Sequence, residues 1–151
     1  MMKEIIIGSD HAGFELKEEL KQLLAARGLV VTDAGAFCGD SVDYPDFGVP
    51  VAEGVSSGRY DRGILVCGSG IGMSIVANRF PGVRAALCAD EETARLSRLH
   101  NDSNILVLAG RRVSGAEAKN IMDAWLAADF EGGRHARRLD KIRELEQKLC
   151  K

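Results

Sequence analysis

The stretch LVCGSGIGMS, Leu65–Ser74, decides the fold. Gly63-Ile64-Leu65-Val66 reads as a short strand buried on both faces, and the alternating glycines that follow read as a tight turn opening a helix near Gly72. A strand that runs through a glycine turn into a helix is the unit of a parallel sheet.

The rest of the chain repeats that unit. Lys3–Gly8, with three isoleucines, is predicted as the first strand. Phe14–Arg27 carries Leu16, Leu20, Leu23 and Leu24 at helical spacing, with Gly28 as its stop. Leu29–Thr32 is the second strand, Asp33–Asp46 a loop, and Phe47–Ser57 a helix. Val83–Ala89 is the fourth strand. Asp90 caps a helix that runs to about Leu99, and Ile105–Ala109 is the fifth strand. Ser114-Gly115-Ala116-Glu117 is a capping box opening a helix that ends near Asp129. A charged helix over Arg137–Leu149 closes the chain. Five strands alternating with helices predict an α/β fold: a doubly wound, Rossmann-like parallel sheet in a three-layer αβα sandwich, formed by residues 1–151 as one domain.

Composition excludes several classes. The chain has 151 residues, 46% hydrophobic and 28% charged, and a net charge of -2. That balance gives no reason to expect nucleic acid or an anionic membrane as partner. No apolar run approaches the ~20 residues of a membrane span. Met1-Met2-Lys3-Glu4-Ile5-Ile6-Ile7 is interrupted too soon for a signal peptide, so a cytoplasmic protein is expected. Cys38, Cys67, Cys88 and Cys150 lack the spacing of a zinc site and are expected as free thiols.

In such a sheet, sites lie beyond the carboxyl ends of the strands, where Cys67 and Ser9-Asp10-His11 fall. Gly68, Gly70 and Gly72 let successive amides face one point, which suits an anion or an oxyanion. The spacing G-x-G-x-G after the third strand is not a dinucleotide fingerprint, and no Walker lysine follows. A purely structural turn is the competing reading. Cys67 shifts the balance, because amide donors at a helix start lower a thiol pKa from about 8.5 and make a nucleophile or base. Ser69 can donate to the same substrate. Cys88, inside a strand, reads as an inert packing residue. His100-Asn101-Asp102 can simply end a helix. Arg134-His135-Ala136-Arg137-Arg138 reads as a solvated face, yet Arg134 and Arg138 share one helical side and can fork onto a phosphate.

Five segments together resemble the ribose-5-phosphate isomerase B family: GSDHAGFELK (Gly8–Lys17), DYPDFG (Asp43–Gly48), GILVCGSGIGMSIVANRFPGVRAALC (Gly63–Cys88), ARLSRLHNDSNILVLAGR (Ala94–Arg111) and DAWLAADFEGGRHARRL (Asp123–Leu139). The wider family includes galactose-6-phosphate isomerase subunits and isomerases of other phosphorylated sugars. The resemblance implies an aldose–ketose isomerase of the pentose phosphate pathway, working through a cis-enediolate without cofactor or metal. It implies Cys67 as the base between C1 and C2 and His100 as the ring-opening acid/base. Gly68, Ser69, Gly70, Ile71 and Gly72 would hold the enediolate oxygens. Asp10, His11, Tyr44 and Asn101 would bind substrate, and Arg111, Arg134 and Arg138 would surround its phosphate. Some relatives use a glutamate in the helix after the glycine loop; Met73-Ser74-Ile75-Val76 offers no acid, which leaves the work to Cys67. Arg112 and Arg137 are departures that bear on substrate length. A nucleotide-binding module and a catalytically silent partner subunit are the readings from other classes; the presence of both Cys67 and His100 argues against silence.

Topology adds a quaternary expectation. Cys67 follows a strand, whereas His100 ends a helix of about ten residues, roughly 15 Å long, that runs back from that edge. The two therefore fall at opposite edges of one sheet. A composite site shared by two chains is thus expected, and the resemblance implies a homodimer, or a tetramer, with the C-terminal helix in the interface.

Overall fold

The computed structural model describes residues 4–149. Lys3, where the sequence reading starts the first strand, and Cys150 lie outside the described residues. Eleven elements alternate as expected: β1 (Glu4–Ser9), α1 (Phe14–Ala26), β2 (Val30–Asp33), α2 (Tyr44–Ser56), β3 (Arg62–Cys67), α3 (Ile71–Ala77), β4 (Ala85–Leu87), α4 (Glu91–Asn101), β5 (Ile105–Ala109), α5 (Gly115–Ala127) and α6 (Arg134–Leu149). All strand pairs are parallel, in the order β2-β1-β3-β5-β4.

The side-chain period of two divides the strands between two cores. Ile5, Ile7, Ile64, Val66, Leu106 and Leu108 face α1, α4 and α5, where Leu20, Ala94, Met122 and Trp125 pack. Ile6, Leu65, Cys67, Ile105 and Val107 face α2 and α3, where Val51, Ala52, Met73 and Ala77 pack. The three-layer αβα sandwich is thus present, and Cys67 belongs to the α2–α3 side.

Caps are where the sequence puts them. Asp90 accepts from the Thr93 amide at 2.7 Å, and Ser114 with Glu117 forms a reciprocal capping box. Gly28, with φ +78°, follows α1 in the left-handed conformation that stops a helix.

Several boundaries differ for identifiable reasons. α2 begins at Tyr44 rather than Phe47, because Pro45 occupies the first turn, where its missing N–H costs nothing. β4 has three residues rather than seven, since it is an edge strand laddered only to β5. His100 and Asn101 complete the last turn of α4, which Asp102 closes at φ +46°. α6 starts at Arg134 rather than Arg137: Gly132 (φ +72°) and Gly133 (φ +59°) turn the chain, and His135 N donates to Gly132 O at 3.1 Å.

One buried charge braces the sheet edge. Lys17 of α1 is fully buried and bonds Asp33, the last residue of β2, at 2.8 Å; Lys21 reaches the same carboxylate at 2.7 Å. Burial works to raise the Asp33 pKa, but the two ammonium groups and the Gly35 amide outweigh it and hold the carboxyl below its ordinary value. Among the described residues, no helix is long and apolar enough to cross a membrane.

Candidate active site

The strand order reverses between β1 and β3, and the carboxyl ends of those two strands border the crevice that such a reversal opens. A cavity of about 550 Å³ lies there. Asp10, Tyr44, Cys67, Gly68, Ser69, Gly72, Arg111 and Arg112 line it.

Cys67 is the last residue of β3, not the first of a helix; α3 begins four residues later, after Gly70 as N-cap. The thiol is buried but borders the cavity. The ladder continues past the strand ends, with Gly110 N on Cys67 O at 2.8 Å and Arg111 N on Gly68 O at 3.1 Å. Arg111 is therefore carried directly over the glycine loop: a methyl group at Gly68 would stand 3.3 Å from Arg111 Nη1.

The loop amides are available. Among the described residues, the Gly68, Ser69 and Gly70 N–H groups donate to no protein acceptor, while Ser69 Oγ accepts from Ile71 N at 3.2 Å. Gly70 sits at φ +77°, a conformation open chiefly to glycine. Gly72 is needed for a different reason. A Cβ there would lie 2.7 Å from Cζ of Tyr44, so the tyrosine ring rests on bare backbone. Asp10 Oδ1 accepts from Gly13 N at 3.0 Å, which fixes the carboxylate at the cavity wall. His11 does not line the cavity. Its Nδ1 accepts from Val42 N at 3.1 Å, so the neutral ring carries its proton on Nε2.

The remaining expected residues are elsewhere. Ile71, 56% exposed, and Gly70, which is buried, do not line the cavity. Asn101 lines a separate groove of about 370 Å³ with Leu139 and Ile142 of α6. His100 stacks on His135, with ring centroids 4.3 Å apart, and its Nε2 lies 3.5 Å from Glu131 Oε1. Arg134 and Arg138 sit four apart in the first two turns of α6, exposed, with no acidic residue in the first turn. These four residues and Cys67 do not share a cavity within one chain.

Sequence reasoning singled out Arg112 as a departure bearing on substrate length without placing it in the site, and gave no role to Glu131 or His135. Arg112 enters the cavity, and its signal was a second arginine directly after a strand end. Glu131 and His135 flank His100; His135, expected on a solvated face, is buried, and burial followed by the charges of His100 and Arg134 pushes its imidazole down. Cys88 lies just past β4 rather than inside it, and burial pushes its thiol up to about 11, consistent with an inert packing role. Among the described residues, His100, Glu131 and His135 are the grouping with metal-type donors, all within 4.8 Å. The two rings lie within 13° of parallel, so their nitrogen lone pairs run side by side instead of converging on an ion.

Comparison with known proteins agrees with this architecture over most of the chain. The chain is 49% identical over 148 residues to ribose-5-phosphate isomerase B of Escherichia coli, covering 97% of this chain and 99% of that protein. The solved ribose-5-phosphate isomerase B of Clostridium thermocellum is 54% identical, with a TM-score of 0.95 over 97% of this chain and 99% of its own. The Mycoplasma genitalium enzyme, solved with bound ribulose 5-phosphate, is 44% identical, with a TM-score of 0.94 over 97% and 98%. Residues 5–142 match the family described as Ribose/Galactose Isomerase, and the chain belongs to that family.

Proposed function

We propose that this chain interconverts ribose 5-phosphate and ribulose 5-phosphate through a cis-enediolate. The observation that carries the reading is a cavity lined by Cys67 together with Gly68 and Ser69, whose amides have no protein acceptor among the described residues. Isomerisation needs one base serving two adjacent carbons, and donors for the charge that develops on their oxygens. Cys67 as thiolate removes the C2 proton of the open aldose and returns it to C1, the C2 hydroxyl proton passes to O1, and the Gly68 and Ser69 amides hold the enediolate oxygens. Asp10 and Tyr44 bound the sugar chain, and Arg111 lies over the loop.

The working unit in this reading is a homodimer, in which His100 of the partner subunit opens the sugar ring and Asn101, Arg134 and Arg138 of the partner subunit hold the far end of the substrate. Two features support it. Cys67 and His100 face opposite edges of the sheet, and exposed apolar side chains lie on α3 (Ile71, Ile75) and α6 (Ile142, Leu145, Leu149). Arginines at the start of α6 meet the positive end of the helix dipole, an arrangement that a bound phosphate relieves. Free Cys38, Cys67 and Cys88 fit a reducing cytoplasm.

Arg112 inside the cavity favours testing other phosphorylated sugars, such as galactose 6-phosphate, allose 6-phosphate or a tetrose phosphate. A coupled isomerase assay over four-, five- and six-carbon sugar phosphates decides. Ribose 5-phosphate should give the highest kcat/KM; preference for a hexose phosphate would change the substrate, and inactivity on every member would sink the isomerase reading.

A further inference from the structure

The segment Glu131-Gly132-Gly133-Arg134-His135 wraps around His100. Glu131 N donates to Leu99 O at 3.0 Å, which anchors Glu131 beside the last turn of α4. Gly132 and Gly133, both left-handed, then reverse the chain so that His135 lies flat against the His100 ring. His135 is 6% exposed, whereas the His100 side chain keeps 37% of its surface open. One face of the His100 imidazole is thus covered by an aromatic plate, one nitrogen is in ion-pair range of a carboxylate, and the rest is open.

We propose that Glu131 is a positioning residue for His100, accepting a hydrogen bond from Nε2–H so that Nδ1 is presented to the substrate. This inference rests on the reading of His100 as the ring-opening group. The 3.5 Å contact is long for a hydrogen bond, as such contacts often are before substrate arrives. With Nε2–H turned to Glu131, Nδ1 takes the proton from the anomeric hydroxyl. The bond from C1 to the ring oxygen breaks as the carbonyl forms, and the same proton is handed to the departing ring oxygen. The transient imidazolium has a carboxylate on one side and His135 stacked on it. Burial and neighbouring positive charge push the His135 imidazole down, which disfavours a second positive charge on the plate.

The test compares Glu131→Ala, Glu131→Gln and His100→Asn on ribose 5-phosphate and on a four-carbon aldose 4-phosphate, which cannot close a furanose ring. Glu131→Ala should lower kcat on ribose 5-phosphate about tenfold or more, with KM little changed and a much smaller loss on the four-carbon sugar. Glu131→Gln, whose carbonyl still accepts N–H, should recover part of the loss. Nitrogen-15 shifts of the His100 ring should show one tautomer, protonated at Nε2, in the unmodified protein and a mixture in Glu131→Ala. Equal losses on both sugars, wild-type kcat, or an unchanged tautomer would overturn the assignment to Glu131. If His100→Asn itself affects both sugars alike, the His100 reading fails, and the tautomer measurement still judges the Glu131–His100 pair.

Discussion

Cys67 and His100 stand at opposite edges of one sheet. Cys67 closes β3 opposite Ala109, the last residue of β5, whereas His100 lies in the final turn of α4, before β5 begins at Ile105. The β5 ladder between those levels is five residues, about 17 Å of extended chain. A thiol and an imidazole so placed cannot serve one five-carbon substrate unless two chains share the work.

The arginines of α6 should bind rather than catalyse. Arg134→Ala or Arg138→Ala is expected to raise KM for ribose 5-phosphate by about tenfold or more, as loss of a charge-assisted contact implies. Inhibition by sugar-phosphate analogues should weaken in parallel. A change confined to kcat would place the phosphate elsewhere.

Gly72 and Tyr44 should be energetically coupled. Gly72→Ala forces the tyrosine ring off the loop and should cost about 1–3 kcal/mol of stability, with reduced activity. In a Tyr44→Ala background the same change should cost far less. Additive effects in that double-mutant cycle would mean that the two residues do not meet.

Asp33 gives the fold an acid-sensitive brace. Its folded pKa lies below the ordinary 3.8, so its stabilisation is complete above that value and is lost as pH falls through the folded pKa. Asp33→Asn should lower stability at neutral pH by about 2 kcal/mol, because it takes the nearer carboxylate from a fully buried ammonium and leaves it only Glu18 Oε1 at 3.2 Å. Thermal melts should show the gap to the unmodified protein narrowing below about pH 3.8. A gap that stays constant into acid would contradict the ion-pair account.

What could be read from the sequence follows the reach of the interactions involved. The strands around Ile6, Leu65 and Val107, the Asp90 cap and the Ser114–Glu117 box rest on neighbours within a few residues, and patterning exposes them. Lys17 looks like an exposed lysine in a leucine-striped helix; its burial depends on Asp33, sixteen residues away. The start of α2 was hidden because Pro45 marks both loops and first helical turns. The cavity residues Asp10, Cys67, Gly68 and Ser69 were visible because strand ends converge in any parallel sheet. The Glu131–His100–His135 cluster was not, since it needs a glycine turn to fold α6 back onto α4.

The central claim, a site built by two chains, is tested by complementation. Cys67→Ala alone should fold and bind substrate analogues yet lose turnover and solvent-deuterium exchange into the sugar, and His100→Asn alone should lose turnover on ribose 5-phosphate. Unfolded and refolded together, half of the resulting dimers are mixed and carry one intact site, so about a quarter of wild-type activity should return. Proven mixed dimers without any recovery would mean that the site is assembled within one chain.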